Sequence, residues 1–343
     1  MFPFAVVTLS NAALLLAAAF LGGPWAWAAL LYISLFTAFM DRFVARLTPG
    51  MTEGAEFPSG AVFSVGLGLL HIALLLAAIH GLSNTAMSLP ERLVTFVAFS
   101  LFFGQVSHPN AHELIHRSGR LARRLGRIVY GTMLYGHHAS THVLVHHAHV
   151  GTKKDPCTAR KGEGFYRYFL RVWRAVFVSG LKAENARRAR AVSVPRLHPY
   201  LLDLAVGIVS LTAAVWIGGA MGLVALLAMA LYAQLQIAMA DYVQHYGLFR
   251  RIRENGKPEP VGPQHSWNTP HWYSSALMLN APRHSDHHLN PQRPYPALAL
   301  DEETMPTLPH SLPVMATIAL FPPLYRRVMK RELANLPEDH RAA

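Results

Sequence analysis

Histidine is the side chain this sequence concentrates where chemistry could follow. His112 and His116 stand in HELIHR, His142, His146 and His147 in HVLVHH, His245 in DYVQHYGL, and His284, His287 and His288 in RHSDHH. Neutral imidazole suits iron, copper and zinc. These nine rings exceed what one ion can coordinate, so the set reads as a centre for two metals.

Spacing sharpens this reading. His112 and His116, at i and i+4, stack on one helical face. HExxH is also the zinc-protease pattern with its glutamate as general base, but that chemistry needs one metal and leaves the other clusters without a role. Glu113 is therefore assigned to supporting a ligand or to structure. His142 and His146 repeat the i, i+4 relation, and His147 follows about 100° around the helix, so the adjacent pair can serve two metals. His284, His287 and His288 do the same, with Asp286 between them as a candidate partner that fixes a ring tautomer. His245 closes a long apolar stretch, and Asp241 lies one turn back on its face. His71 and His80 are expected to hydrogen-bond between helices, and His137, His138 and His149 are left out because nine ligands suffice.

The elements that must position these rings are membrane helices. The 343 residues are 52% hydrophobic and 15% charged, with a net charge of +12. Apolar stretches of the roughly 20 residues that cross a bilayer run over about 4–22, 24–40, 60–82, 92–108, 200–219 and 220–243. The expected fold is all-α, an integral membrane protein of six transmembrane helices in a single domain over 1–343. Gly22, Gly23 and Pro24, and then Gly218 and Gly219, mark two tight hairpins. The first stretch lacks a basic leader and is read as a retained helix. Arg123, Arg124, Lys153, Lys154, Arg187, Arg188 and Arg190 crowd one connection, whereas the glycine hairpins carry no charge, so the basic side is cytoplasmic. With both termini there, the connection over 41–59 and the ligand-bearing segments 109–199 and 244–343 share that side. Every histidine cluster then meets at one face.

Cys157 is the sole cysteine. The chain can form no internal disulfide and cannot supply the thiolates of a rubredoxin-like iron or an iron–sulfur cluster. It also lacks a Gly-rich dinucleotide fingerprint. A redox reaction here would borrow its electrons, and a basic face that includes Lys153 and Lys154 would steer an acidic carrier. Part of that charge serves topology and anionic lipid; nucleic acid is not an expected partner.

Taken together, HELIHR, HVLVHHAHVGTKKDP, DYVQHYGL and RHSDHHLNPQRPYPAL resemble the motifs of the alkane 1-monooxygenase family, integral-membrane non-haem di-iron hydroxylases. The likeness runs from about Leu101 to Leu300 and includes GEGFYRYFLR. It implies two irons held by His112, His116, His142, His146, His147, His245, His284, His287 and His288 at the cytoplasmic face of the bacterial inner membrane. It also implies O2 as oxidant and electrons from rubredoxin or ferredoxin with its reductase. The expected reaction is hydroxylation of an unactivated, terminal C–H bond of an alkane or similar apolar chain.

The family usually has Asn and Glu where Asp241 and Gln244 stand, Glu and Gly where Thr141 and Val145 stand, and Leu-Gln where Ala281 and Pro282 stand. These changes lie beside ligands and bear on substrate. Xylene monooxygenase, which oxidises methyl groups on aromatic rings, resembles the same pattern. A membrane acyl desaturase is a further alternative, although its second box is normally HxxHH and this chain has HxxxHH. A metal transporter is the remote, non-enzymatic one, because its site would sit near the bilayer midplane. Tyr32 and Phe36, one turn apart on the second span, are candidates for the wall that stops the far end of a substrate.

Overall fold

The computed structural model describes residues 1–43, 58–191 and 197–337, apart from the side chains of residues 58 and 59. Most of the connection expected over 41–59 therefore lies outside the described residues. Among them every regular element is helical, with only two isolated β-bridges.

Five helices are long and apolar enough to cross a membrane. These are α1 (Phe2–Leu21), α2 (Pro24–Phe43), α3 (Pro58–Ser83), α4 (Leu89–His116) and a 46-residue helix, Pro199–Gln244, which is α8 in chain order. Local chemistry sets their ends. α1 stops at Gly22 and α2 starts after Gly23, both at positive φ, and Pro24 supplies the fixed φ of a first turn. α4 opens on a capping box formed by Ser88 and Glu91.

The sequence suggests two separate spans over 200–219 and 220–243; in the structure the run Pro199–Gln244 is broken at Gly219, where the backbone leaves helical geometry with φ 57° and ψ −142°. The chain doubles back there. A Cβ at Gly222 would collide with the Ala214 carbonyl oxygen, although eight residues of straight helix would separate the two by about 12 Å.

The turns gather at one end of the bundle. Glu91 accepts the Gly23 amide at 3.0 Å, and a side chain at Gly218 would strike Ser83. His112 and His116 at the end of α4, and His245 just past α8, consequently share the opposite end. A core containing Leu15, Leu74, Ala78, Phe99, Phe103 and Met229 binds the membrane helices together.

The segment after α4 is itself folded. α5 (Arg120–Thr132) packs back on α4, where Gly126 allows close approach to the Ala111 carbonyl. α6 comprises His138–Thr141, a π-helical turn over His142–His146, and His147–His149. α7 (Phe165–Ala189) turns Tyr166, Leu170, Trp173 and Phe177 outward, a stripe at i, i+4, i+7 and i+11 that suits lipid contact. After α8 come α9 (Trp272–Leu277), α10 (His284–Leu289), α11 (Leu312–Ala319) and α12 (Pro322–Asn335). A second core, with Tyr168, Tyr242, Trp267 and Tyr325, lies beneath this part of the molecule.

Candidate metal centre

All nine histidines singled out by spacing converge, and they do so as two groups. His112, His116, His142, His147 and His287 form one, and His146, His245, His284 and His288 the other, with the ligand atoms of each group within 4.8 Å of one another. His138, His149, His71 and His80 belong to neither. His71 lies 2.8 Å from Thr132 Oγ1 on α5, an interhelical bond as expected, whereas His80 packs on Phe20.

α6 and α10 each feed both groups. In α10, His284 and His288 are one turn apart and meet in the second group, while His287 points to the first. In α6 the partition departs from the expected i, i+4 pairing. The turn over His142–His146 is π-helical, closed by the His147 amide on the His142 carbonyl. That wider turn aligns residues five apart, so His142 pairs with His147, and His146 swings to the other group. Two further π turns occur, Tyr32–Phe36 in α2 and Phe103–Ser107 in α4, the latter one turn before His112.

The Nε2 atoms point inward. His142 Nε2 is 2.8 Å from His112 Nε2 and 2.9 Å from His147 Nε2, and His147 Nε2 is 3.1 Å from His287 Nε2. In the second group His284 Nε2 lies 3.0 Å from His245 Nε2 and 3.1 Å from His288 Nε2. His116 Nε2 and His146 Nε2 are buried with no hydrogen-bond partner. Nitrogens cannot satisfy one another in such numbers, because each ring offers one hydrogen or one lone pair there. A cation satisfies them all: two nitrogens about 2.1 Å from one ion, at a right angle, stand about 3.0 Å apart. The donor set therefore fits one transition-metal ion per group.

The surroundings keep the lone pairs available. Burial, followed by the neighbouring imidazoles, holds His142, His147, His284, His287 and His288 well below the usual histidine range. Burial takes His245 down to about 3. His146 is the exception. Burial lowers it, but the charge and hydrogen bond of Asp155 outweigh that and leave it raised. Asp155 is in turn raised by burial and pulled net downward by His146.

Supporting contacts partly differ from expectation. Asp155 Oδ2 accepts His146 Nδ1–H at 2.9 Å and the Thr158 hydroxyl, while Oδ1 accepts the Cys157 amide. This carboxylate sets the ring so that Nε2 faces the cluster. Helical spacing does not single it out, although it stands in the GTKKDP run. Asp286, read as a ring partner, instead takes Asn290, Arg293 and the Ala299 amide and so braces α10 from behind. Its carboxylate points away because the next turn and Arg293 supply donors on the outer face. Asp241 likewise supports no ring directly; it lines the cavity beside the histidines. His245 has the His265 carbonyl on its Nδ1 side, 3.4 Å away. Glu113 pairs with Arg117 and accepts the Tyr295 amide, a structural role. Asn268 and Ser285 exchange two bonds that fix the start of α10.

Tyr32 and Phe36 stack at 5.3 Å between ring centroids and share Tyr273 of α9, whose hydroxyl lies 2.8 Å from that of Tyr32. Neither lines the cavity beside the ligands. The nearest link is α9 itself, because Met278, the residue after it, does.

Residues 88–318 match the family model described as fatty acid desaturase. The chain is 30% identical to alkane 1-monooxygenase 1 of Pseudomonas aeruginosa, over 89% of this chain and 83% of that protein. It is 27% identical to alkane 1-monooxygenase 2 of Alcanivorax borkumensis, over 89% and 82%. It is 26% identical to the hydroxylase component of xylene/toluene monooxygenase from Pseudomonas putida, over 89% and 81%. With two converging imidazole groups at one end of an apolar helical bundle, and relatives matched along most of their length, the chain belongs to the alkane 1-monooxygenase family.

Proposed function

We propose that this enzyme is a hydroxylase of the bacterial inner membrane that crosses the bilayer six times within one domain, with both termini and all nine histidines on the cytoplasmic side. The reversal at Gly219 supports the sixth crossing, since 46 residues of straight helix would measure about 69 Å against a core of about 30 Å. Two irons are the expected occupants, one held by His112, His116, His142, His147 and His287 and the other by His146, His245, His284 and His288. The observation that carries this reading is the division of nine imidazoles, buried or half-buried, into two convergent groups.

When bound, such a pair supplies the oxygen chemistry that no side chain can: one atom of O2 enters a C–H bond and the other leaves as water, with two electrons and two protons consumed. The protein holds and shields. Asp155 fixes the His146 tautomer, the His265 carbonyl stands behind His245, and the buried site keeps bulk water from the reacting atoms. The substrate is an apolar chain arriving from the bilayer, with a terminal C–H of an alkane as the reacting group. Tyr32 and Phe36, which pack on Tyr273, are the proposed wall for its far end. Hydroxylation of a methyl on an aromatic ring is the second reading, favoured by the likeness to the xylene/toluene enzyme.

Electrons come from rubredoxin or ferredoxin with its reductase. A depression of about 450 Å3, lined by Lys153, Arg160, Arg171 and Phe249, has Asp155 in its wall, so the shortest route from a docked acidic carrier runs through Asp155 to His146. The test is product analysis with iron-loaded protein, O2 and a reduced carrier, offered octane and p-xylene in parallel. Oxygenation of neither, with two irons bound, would refute the reading.

A further inference from the structure

A second basic depression, of about 420 Å3, lies between α6 and the C-terminal half of α7, with Lys154, Lys182, Arg187 and Arg190 around it and Leu144 and Val145 at its base. Lys154 thus parts from Lys153, which lines the depression proposed above for the carrier. None of the residues lining this second depression is acidic. Arg187 is held by the buried Glu184 at 2.8 Å, but among the described residues Lys154, Lys182 and Arg190 have no ion-pair partner. Cations gathered without a counter-charge repel one another, and an anion seated among them relieves that repulsion.

The depression stands at the edge of the bilayer. The first half of α8, from Pro199 to the reversal at Gly219, measures about 30 Å, the thickness of the hydrocarbon core, so Pro199 marks the boundary. α7 is tied to that boundary twice. The Tyr200 hydroxyl donates to the Phe177 carbonyl at 2.9 Å, and Arg188 Nη1 donates to the Leu197 carbonyl at 3.2 Å. With Tyr166, Leu170, Trp173 and Phe177 exposed along the same helix, α7 has the apolar stripe and basic flank of a helix lying in the membrane surface. Its last turns then hold Lys182, Arg187 and Arg190 at the level of the lipid headgroups.

Room and charge specify the anion. At about 10–15 Å3 per water-sized group the depression admits roughly thirty such groups, far more than a free phosphate ion fills. A phospholipid headgroup brings a phosphate for the Lys and Arg donors, together with a glycerol that can rest on Leu144 and Val145. Choline or ethanolamine would add a further cation to the cluster, whereas a headgroup such as that of phosphatidylglycerol adds only hydroxyls. We infer that this depression is a binding site for the headgroup phosphate of an anionic phospholipid, separate from the metal centre and from the carrier depression. Such a lipid is neither substrate nor electron donor, so the site stands or falls apart from the hydroxylase reading.

The test uses full-length, iron-loaded protein in detergent, with phosphatidylglycerol and phosphatidylcholine as probes and the retained lipids counted by native mass spectrometry. The wild type is expected to hold one phosphatidylglycerol about tenfold more tightly than phosphatidylcholine, a few-fold from each unpaired cation. Lys182→Gln combined with Arg190→Gln should bring the two lipids to equal affinity. Arg253→Gln combined with Lys257→Gln, which removes as much charge from the exposed turn around Gly256, should leave the preference intact. Arg187 is spared because its loss would strand the buried Glu184, and iron content equal to wild type checks that each variant is folded. Equal affinities in the wild type, or a preference lowered alike by both double variants, would overturn the site in favour of diffuse surface charge. Displacement of phosphatidylglycerol by an equal concentration of inorganic phosphate would overturn it in favour of free phosphate. Slower reduction by an acidic carrier in Lys182→Gln with Arg190→Gln, with the lipid preference unchanged, would give these cations to the carrier instead.

Discussion

His142 and His147 approach to 2.9 Å between Nε2 atoms although they are five residues apart, because the turn between them is closed by the His147 amide on the His142 carbonyl. The turn contains one residue more than an α-helix would place there. It lets one short helix deliver neighbouring rings to two metals.

Deleting Leu144 should therefore be tolerated better than any other single-residue deletion in α6. An ordinary turn would then return His142 and His147 to i, i+4, and iron content should stay near wild type. Inserting an alanine at the same point should strip iron. Metal analysis of both proteins decides; loss of iron from the deletion alone would show that the π turn is needed for more than register.

Each imidazole group should hold its own ion. His287→Ala and His146→Ala should each lower iron from about two toward one per chain and abolish oxygenation, since every ligand atom lost weakens one group. Asp155→Asn should keep the shape of the loop yet weaken iron binding about 10- to 100-fold, as removal of ring-orienting carboxylates does. Competition with a chelator, read by Mössbauer spectroscopy, measures both effects.

Docking of the electron carrier should be electrostatic. Turnover supported by an acidic carrier is expected to fall as salt rises, and Lys153→Glu with Arg160→Glu should slow reduction about tenfold without releasing iron. Stopped-flow reduction of the iron-loaded protein provides the check. Rates indifferent to both salt and charge would remove this depression from the path.

Chain length should respond to the aromatic pair on α2. Phe36→Ala is expected to lengthen the accepted chain by a few carbons with iron retained, whereas Tyr32→Phe, which keeps the ring, should not. Competition between alkanes of graded length, with products resolved by mass spectrometry, distinguishes a stop from ordinary packing against Tyr273.

The ligands were legible because only a few side chains bind such metals and their spacing fits helices. The helical bundle was legible because a membrane requires long apolar runs, and the hairpins because Gly22, Gly23 and Gly219 adopt positive φ. What spacing could not reveal was the partition. Periodicity of 3.6 pairs His142 with His146, and nothing in HVLVHH announces a π turn. Asp155 was hidden for another reason, since it reaches His146 through a loop that follows no period. Asp286 misled because its adjacency to ligands in sequence places it on the opposite side of a short helix. His108 and His138 extend two ligand pairs back by one turn, a signal present in the sequence but indistinguishable there from more ligands.

The lone cysteine has a practical consequence. Cys157 is 1% exposed, and burial pushes its pKa well above the usual thiol range. A thiol kept protonated and out of solvent scarcely reacts with maleimides. The native chain thus serves as its own silent background for site-directed labelling. A single cysteine placed at exposed Thr85 or Glu254 can report membrane sidedness in intact cells, and pairs of spin labels around the Lys153 depression can measure carrier approach, with no native residue altered beforehand.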